Sequence, residues 1–498
     1  MRMLKRAAAF CLAALVGLSA LSLTASAEGF PYTWNEENGG PHCESILMVN
    51  LDTNTVVYSQ EADKPRPMAS MTKIMSYIVA YENIPDIENA VITVPAEIKT
   101  ILADTGSSLA EIKVGEQFTG IQMLNLMMVP SGNDAALTLA RYVDSQHVGE
   151  TPPEPENSSG SSSSMSSSNS EDTGASSEQS PSSGGTVDAT DERDTYFVQL
   201  MNNKAKELGC TNTHFTNPHG LYNKDHYSSA RDMAIITKYA LTLPNFSKIT
   251  SQLYYEMEAT NLSPARTIYS TNKMLAENSE YFYTYATGIK TGSLNESGYC
   301  IVSSATYQGY TYIVVAMGSP MVDEEGNELP EFHGEMVDSA ELFRWAFLNL
   351  KRKTVVEQGD VLSQTGLDYA WKKDTILAAA GESVSVMLPE SVDQSSIIVT
   401  PDLPDKVQAP VKKGEIIGKA TLTYADEVIA TVPLVAAESV EKSEMMEKWD
   451  QGRAVLTSPW FLVIMAVIVS LIVVYIILVV AYRRKQKKLR RVKKFRDM

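Results

Sequence analysis

The sequence predicts an α+β chain followed by a small all-β domain and a C-terminal transmembrane helix. Three observations predict it. Apolar residues recur at helical spacing in several segments before residue 350, interleaved with strand-like runs. Residues 351–438 hold short β-branched runs broken by Pro and Gly. Residues 459–482 carry no charge and are dense in Ile, Val and Leu. At 498 residues, two or three domains can each bury a core.

The N-terminus reads as a secretory signal over 1–27. Arg2, Lys5 and Arg6 precede an apolar run, and Ala25-Ser26-Ala27 is a small-residue cleavage site. A main domain is expected over 28–350. The run SILMVNLDTNTVVYSQ at 45–60 reads as two strands around a turn. Pro67 precedes a helix to about residue 81, with Met71, Ile74, Met75 and Ile78 on its apolar positions. A short strand signal follows at 90–94. Residues 120–129 are helical and stop at Pro130, and 134–142 read as a second helix capped by Asn133 or Asp134.

Residues 149–190 differ in kind. Ser, Gly, Pro and Glu dominate, so the segment cannot bury enough surface to offset its ordering entropy, and it reads as a disordered insertion. An amphipathic helix then runs to Gly209, and another covers 232–241. CIVSSATYQGYTYIVVAMG reads as a hairpin turned at Gln308-Gly309, and 336–350 as a long helix. After the β domain come a charged stalk over 439–458 and the apolar span over 459–482. At 1.5 Å per residue that span is roughly 36 Å long, enough to cross a bilayer core. The tail at 483–498 holds ten basic residues and Asp497, and the positive-inside rule assigns it to the cytoplasm. The ectodomain is then outside, and more acidic than the chain's net charge of −18. That balance argues against nucleic acid or anionic lipid as its partner.

Of four cysteines, Cys43, Cys210 and Cys300 lie outside the signal; buried thiols are expected, with at most one disulfide. Three of the six histidines fall within 213–232, a stretch rich in turn residues. No helix bearing paired histidines accompanies them, so no metal or other cofactor is expected, and these side chains read as fixing local loop structure.

Three polar triplets carry the chemistry. Ser70 and Lys73 stand three apart at a helix start, where side chains share a face with Cβ atoms roughly 5–6 Å apart. An oxygen, an adjacent amine and the positive end of a helix are what an activated serine nucleophile needs. Ser131-Gly132-Asn133 forms a tight inter-helix turn. Lys290-Thr291-Gly292 begins an edge-type strand.

With these triplets the sequence resembles the serine penicillin-recognising enzymes. It looks most like the low-molecular-mass penicillin-binding proteins that act as D-alanyl-D-alanine carboxypeptidases. The resemblance runs from about residue 45 to 440. It includes the FVQLMNNKAKELG run, NPHGL, HYSSARD, PVKKGEIIG and PLVA. It implies the fold shared with serine β-lactamases: a helical subdomain beside an antiparallel sheet flanked by helices, with the site between them. It implies Ser70 as the acylated nucleophile, Lys73 as its base and Ser131 as the proton relay. Asn133 would bind the substrate backbone; Lys290, Thr291 and Gly292 would hold its terminal carboxylate. The amides of Ser70 and Ser293 would form the oxyanion hole. Lys73 would be kept neutral by the like charge of Lys290, assisted by partial desolvation.

The implied activity is removal of the terminal D-alanine from peptidoglycan stem peptides ending in D-Ala-D-Ala, with β-lactams as covalent inhibitors. Ser-Gly-Asn in place of Ser-Asp-Asn, and no Glu-x-x-Leu-Asn after Ser131, favour a peptidase over a β-lactamase. A D,D-endopeptidase or a weak β-lactamase is the alternative within the fold. A non-catalytic peptidoglycan-binding or sensing protein is the rival outside it, but such a protein would not need both Ser70 and Lys73. One departure stands out: where some relatives place a carboxylate-binding arginine before the last helix, Glu331-Phe-His-Gly-Glu335 offers only His333.

Overall fold

The computed structural model describes residues 30–496 except 31, 35–39, 104, 154–188, 324, 326, 391, 425–426 and 446–457. The signal peptide, most of the 149–190 insertion and most of the stalk fall outside the described residues. The chain divides into two compact units. One takes residues up to 355 with 385–398 and 423–430; the other takes 356–384, 399–422 and 431 onward.

The first unit is built on an antiparallel sheet. Strands β1 (Ser45–Asn50) and β2 (Val56–Gln60) form the N-terminal hairpin. Two short pairs follow in the chain, β3 (Val91–Thr93) with β4 (Gln117–Thr119) and β5 (Tyr254–Met257) with β6 (Arg266–Tyr269). Strands β7 (Ala286–Leu294), β8 (Gly298–Tyr307) and β9 (Tyr310–Ser319) complete the main sheet in the order β2-β1-β9-β8-β7. β9 runs down the middle because Met48 faces Val314 on one side while Val302 faces Val315 on the other. Gln308 and Gly309 turn the β8–β9 hairpin with φ of 49° and 82°, the mirror-image turn whose twist matches its strands. β7 is left on the edge, with one row of its main-chain groups free to meet another chain.

Helix α1 (Lys73–Asn83) is the centre of the helical layer. Every residue from Lys73 to Ala80 is buried, so this helix is covered all round rather than along one stripe. It packs against α3 (Gly120–Met128), α4 (Asn133–Gln146), α5 (Tyr196–Glu207) and α6 (Ala230–Ala240). The short α2 (Glu97–Ile101) and α7 (Phe246–Thr250) fill the periphery. Local chemistry starts the helices where the sequence says. Thr119 and Gln122 make a reciprocal capping box for α3, and Thr195 and Ser229 cap α5 and α6 with their hydroxyls. α4 departs from expectation. Its N-cap is Gly132, and neither Asn133 nor Asp134 caps it. Asp134 instead accepts from the amides of Ala110 and Ile112 at 2.8 and 3.2 Å, and Asn133 turns to Lys73. α8 (Gly334–Asn349) covers β8 and β9.

In the C-terminal part, β10 (Leu350–Val356) pairs with β13 (Val384–Pro389). A six-stranded sheet joins β11 (Val361–Asp368), β12 (Thr375–Ala380), β14 (Ile398–Asp402), β15 (Lys406–Gln408), β16 (Ile416–Tyr424) and β17 (Glu427–Ala436). Its order is β14-β16-β17-β12-β11-β15, with β15 parallel to β11. Leu367, Ile376, Val411 and Ala436 share its core. The last helix, α9, runs unbroken over Pro459–Arg496. Its Pro459–Gln486 stretch is long and apolar enough to cross a membrane. The basic tail continues this helix to Arg496.

Candidate active site

Ser70 does not sit on α1 itself. It lies on a 3-10 turn, Ala69–Thr72, that leads into the helix, and Lys73 is the first α-helical residue. Ala69 takes φ of +46°, a left-handed conformation that costs an alanine roughly 1–2 kcal/mol. Packing holds it there. Gly220 and Gly292 press on the turn from two sides. A Cβ at Gly220 would come 2.0 Å from the Ala69 carbonyl oxygen, and one at Gly292 would come 2.9 Å from the Met68 carbonyl oxygen and 3.0 Å from the Ser70 nitrogen. Glycine at 292 is thus required by the approach of β7 to the Ser70 turn.

A third hold comes from His226, buried in the 213–232 loop. Its Nδ1 accepts the Thr216 amide proton at 3.0 Å, so the neutral ring carries its proton on Nε2. That nitrogen donates to Thr72 Oγ1 at 2.7 Å, and the Thr72 hydroxyl donates to the Ala69 carbonyl at 2.8 Å. Burial drops the His226 pKa to about 3, which keeps the ring neutral.

Lys73 is fully buried and surrounded by three oxygens. Its Nζ lies 2.8 Å from Ser70 Oγ, 2.6 Å from Asn133 Oδ1 and 2.8 Å from the His219 carbonyl oxygen. Burial pushes its pKa well below the usual lysine value; the ammonium of Lys290 adds to the drop, and the Asp134 carboxylate partly opposes it. Desolvation therefore leads and like-charge repulsion follows, the reverse of the order expected from the sequence. A neutral amine has two N–H bonds and one lone pair. The Asn133 and His219 oxygens can only accept, so they take the two N–H bonds and leave the lone pair aimed at the Ser70 hydroxyl. This is the geometry of a general base.

Ser131, also in the left-handed region at φ of +63°, is nearly buried and faces the same cavity. The cavity holds about 470 Å³. Ser70, Ser131, Asn133, Thr291, Gly292 and Ser293 line it. Residues 105–108, which the sequence did not mark, form one wall; Asn133 anchors them through its main-chain N–H, which donates to the Ser108 carbonyl at 2.9 Å. A run of turn-forming residues, Thr105-Gly-Ser-Ser, was the available signal. Thr271 Oγ1 lies 2.5 Å from Thr291 Oγ1, and Lys273 lines the cavity two residues on; no local pattern marks either residue. Lys290 is brought to the site but set behind its surface. It is 1% exposed, its Nζ donates to the Thr291 carbonyl at 2.9 Å, and burial lowers its pKa to about 7. The three cysteines are free thiols, and no cluster of metal-binding side chains occurs among the described residues.

The family model described as D-alanyl-D-alanine carboxypeptidase matches residues 35–147 and 191–321, skipping the Ser-rich insertion. The model for the C-terminal domain of penicillin-binding protein 5 matches residues 351–442. The D-alanyl-D-alanine carboxypeptidase DacF of Bacillus subtilis is 26% identical over 402 residues, 80% of this chain and 86% of that protein. DacA of Haemophilus influenzae is 26% identical over 455 residues, 90% of this chain and 97% of its own length. The crystal structure of penicillin-binding protein 5 from Haemophilus influenzae covers 83% of this chain with all of its own, at a TM-score of 0.58 and 24% identity, a likeness of fold. With a cavity lined by Ser70, Thr291 and Gly292, a buried lysine beside that serine, and both models matching in order, the chain belongs to the serine-type D-alanyl-D-alanine carboxypeptidase family.

Proposed function

We propose that this protein removes the terminal D-alanine from peptidoglycan stem peptides through an acyl-enzyme on Ser70. The observation that carries the reading is the Lys73 environment: a buried amine, its pKa pushed well down by burial, whose nitrogen lies 2.8 Å from Ser70 Oγ. Lys73 takes the hydroxyl proton as Oγ bonds to the carbonyl carbon of the penultimate D-alanine. The oxyanion gathers on the amides of Ser70 and Ser293; one such donor is typically worth about 3–4 kcal/mol of barrier. The C–N bond then breaks while Ser131 passes a proton to the leaving amine. Water hydrolyses the ester with Lys73 again accepting a proton. Asn133 has a second task besides holding Lys73, as its amide nitrogen can donate to the substrate backbone. Thr291 and Gly292 align the substrate along the open edge of β7, with Lys290 supplying charge from behind it.

A β-lactam enters the same steps. Its ring amide opens on Ser70, and the leaving nitrogen stays tethered.

Residues 28–350 act as the catalytic domain and 351–438 as a spacer domain. The apolar span over 459–482 anchors the protein in the membrane, with the ectodomain outside and the basic tail inside. Penicillin treatment followed by mass spectrometry should show one adduct on Ser70. D-Alanine release from a D-Ala-D-Ala tripeptide should vanish in Ser70→Ala. An unmodified Ser70, or turnover that survives the substitution, overturns the reading.

A further inference from the structure

The wall of the cavity beyond Ser293 carries charge that proton transfer at Lys73 does not use. Lys273, Glu331, His333 and Glu335 all line it. One oxygen, Glu331 Oε1, lies 2.6 Å from Lys273 Nζ and 3.0 Å from His333 Nε2. A single carboxylate oxygen is therefore gripped between an ammonium and an imidazole. The other ring nitrogen, His333 Nδ1, lies 2.9 Å from Glu335 Oε1. Ionised carboxylates only accept, so with Glu331 and Glu335 both ionised His333 donates from both nitrogens as an imidazolium, although burial pushes the Glu335 carboxyl up from its ordinary value.

Burial opposes that charge, but hydrogen bonds and attraction from Glu335 and Glu331 outweigh it and raise the His333 pKa. The groups around His333 are few. Lys273 reaches in from the 273–275 turn, and the Tyr281 hydroxyl accepts the His333 main-chain N–H at 3.2 Å. The Tyr299 ring centre is 4.5 Å away on β8. Behind Glu335, Asp338 is paired with His42. Glu335 itself is 1% exposed, and its Oε2 has no partner among the described residues.

The position matters as much as the charge. Tyr299 faces Ser293 across the β7–β8 ladder, so His333 stands one strand in from the end of the Lys-Thr-Gly strand. Among the described residues lining the cavity, the cationic side chains are Lys273 and His333; Lys290 is turned in on its own strand.

We propose that Lys273 and His333 form the anion site for the substrate's terminal carboxylate, and that Glu331 occupies this site as an internal carboxylate in the free enzyme. Substrate then binds by displacing Glu331. The side chain is suited to leave: it is 63% exposed, while Glu335 stays buried and keeps His333 charged after the exchange. The proposal rests on the reading that the substrate is a peptide with a free C-terminal carboxylate.

The test compares wild type, Glu331→Gln, Lys273→Ala, His333→Gln and Glu331→Gln/Lys273→Ala in the full chain. Two rates are measured, hydrolysis of a D-Ala-D-Ala tripeptide and the second-order acylation of Ser70 by benzylpenicillin, which also carries one carboxylate. Glu331→Gln should lower KM several-fold and speed acylation by a similar factor. Lys273→Ala should raise KM at least tenfold, with the effect on KM rather than kcat, and should cancel the gain from Glu331→Gln. KM in wild type should climb at alkaline pH as His333 loses its proton, and His333→Gln should flatten that climb. If Glu331→Gln leaves both rates unchanged or weakens them, the internal carboxylate is overturned. If Lys273→Ala leaves KM and acylation unchanged, the anion site is overturned. Absence of wild-type peptide turnover would instead overturn the carboxypeptidase reading, and the acylation rates would still decide the anion site.

Discussion

Asn133 Oδ1 lies 2.6 Å from Lys73 Nζ, although the two residues are separated by most of the helical layer in sequence. A neutral amide oxygen there takes an N–H of the amine without holding a proton on it. Asn133→Asp replaces that oxygen by a carboxylate, and an opposite charge this close typically raises a lysine pKa by about 1–3 units. Acylation by penicillin at pH 7 should then fall about 10- to 1000-fold. It should recover as the pH is raised, which a loss of folding would not do. The pH–rate profile checks both.

Lys290 gives a second prediction. Its charge is one cause of the low Lys73 pKa, after burial. A base must be unprotonated to act, so the rate is full above the Lys73 pKa and falls about tenfold per unit below it. In Lys290→Gln the like charge is gone, the Lys73 pKa rises, and the acid limb should move to higher pH. A limb that stays in place would show that the two amines are not coupled. The limb position is read from the shape of the profile, so weaker substrate binding in the variant does not confuse it.

Gly292 is a test of pure packing. Its backbone does not need glycine for its φ, yet a Cβ would come 2.9 Å from Met68 O, 3.0 Å from Ser70 N and 3.1 Å from Ala69 Cβ. Gly292→Ala must therefore push β7 away from the nucleophile turn. Acylation should drop at least tenfold. The melting temperature should change by only a few degrees, since one edge strand absorbs the shift. Stopped-flow acylation and thermal melting together make the measurement.

His226 links stability to pH. Its folded pKa is about 3, against an ordinary value of 6.5. The folded ring stays neutral while the unfolded one takes a proton. Stability is therefore undiminished above pH 6.5 and is lost as pH falls from 6.5 toward 3, by about 1.4 kcal/mol per unit. His226→Gln removes this slope and also the hydrogen bond to Thr72, so the variant should be less stable at pH 7. Its stability should decline less steeply below pH 6. Urea denaturation at several pH values reads the difference in slope.

Much of this was legible in the chain itself. The strands at 45–60, the Gln308-Gly309 hairpin and the helices around 120–129 and 195–209 follow from period, turn chemistry and hydroxyl caps, all local signals. The α4 start was misread because Asp134 spends its carboxylate on amides of residues 110 and 112, a partnership that no local pattern reveals. The Ser70 turn reads as helix in the sequence, but Ala69 takes a left-handed twist there, with Gly220 and Gly292 from two distant segments packed close against it.

The amino-acid order alone determined which groups could react, because a serine and a lysine three residues apart come to one face in an α-helical or a 3-10 turn alike. It also determined the β-rich C-terminal run and the uncharged span, since composition sets what water or lipid will accept. Only the tertiary structure decided that burial pushes the Lys73 pKa well below its ordinary value, that Lys290 stands behind the cavity surface, and that Lys273 and His333 close on Glu331. Those are properties of burial and of distances between remote segments, and folding sets them by excluding water around groups that the linear chain leaves far apart.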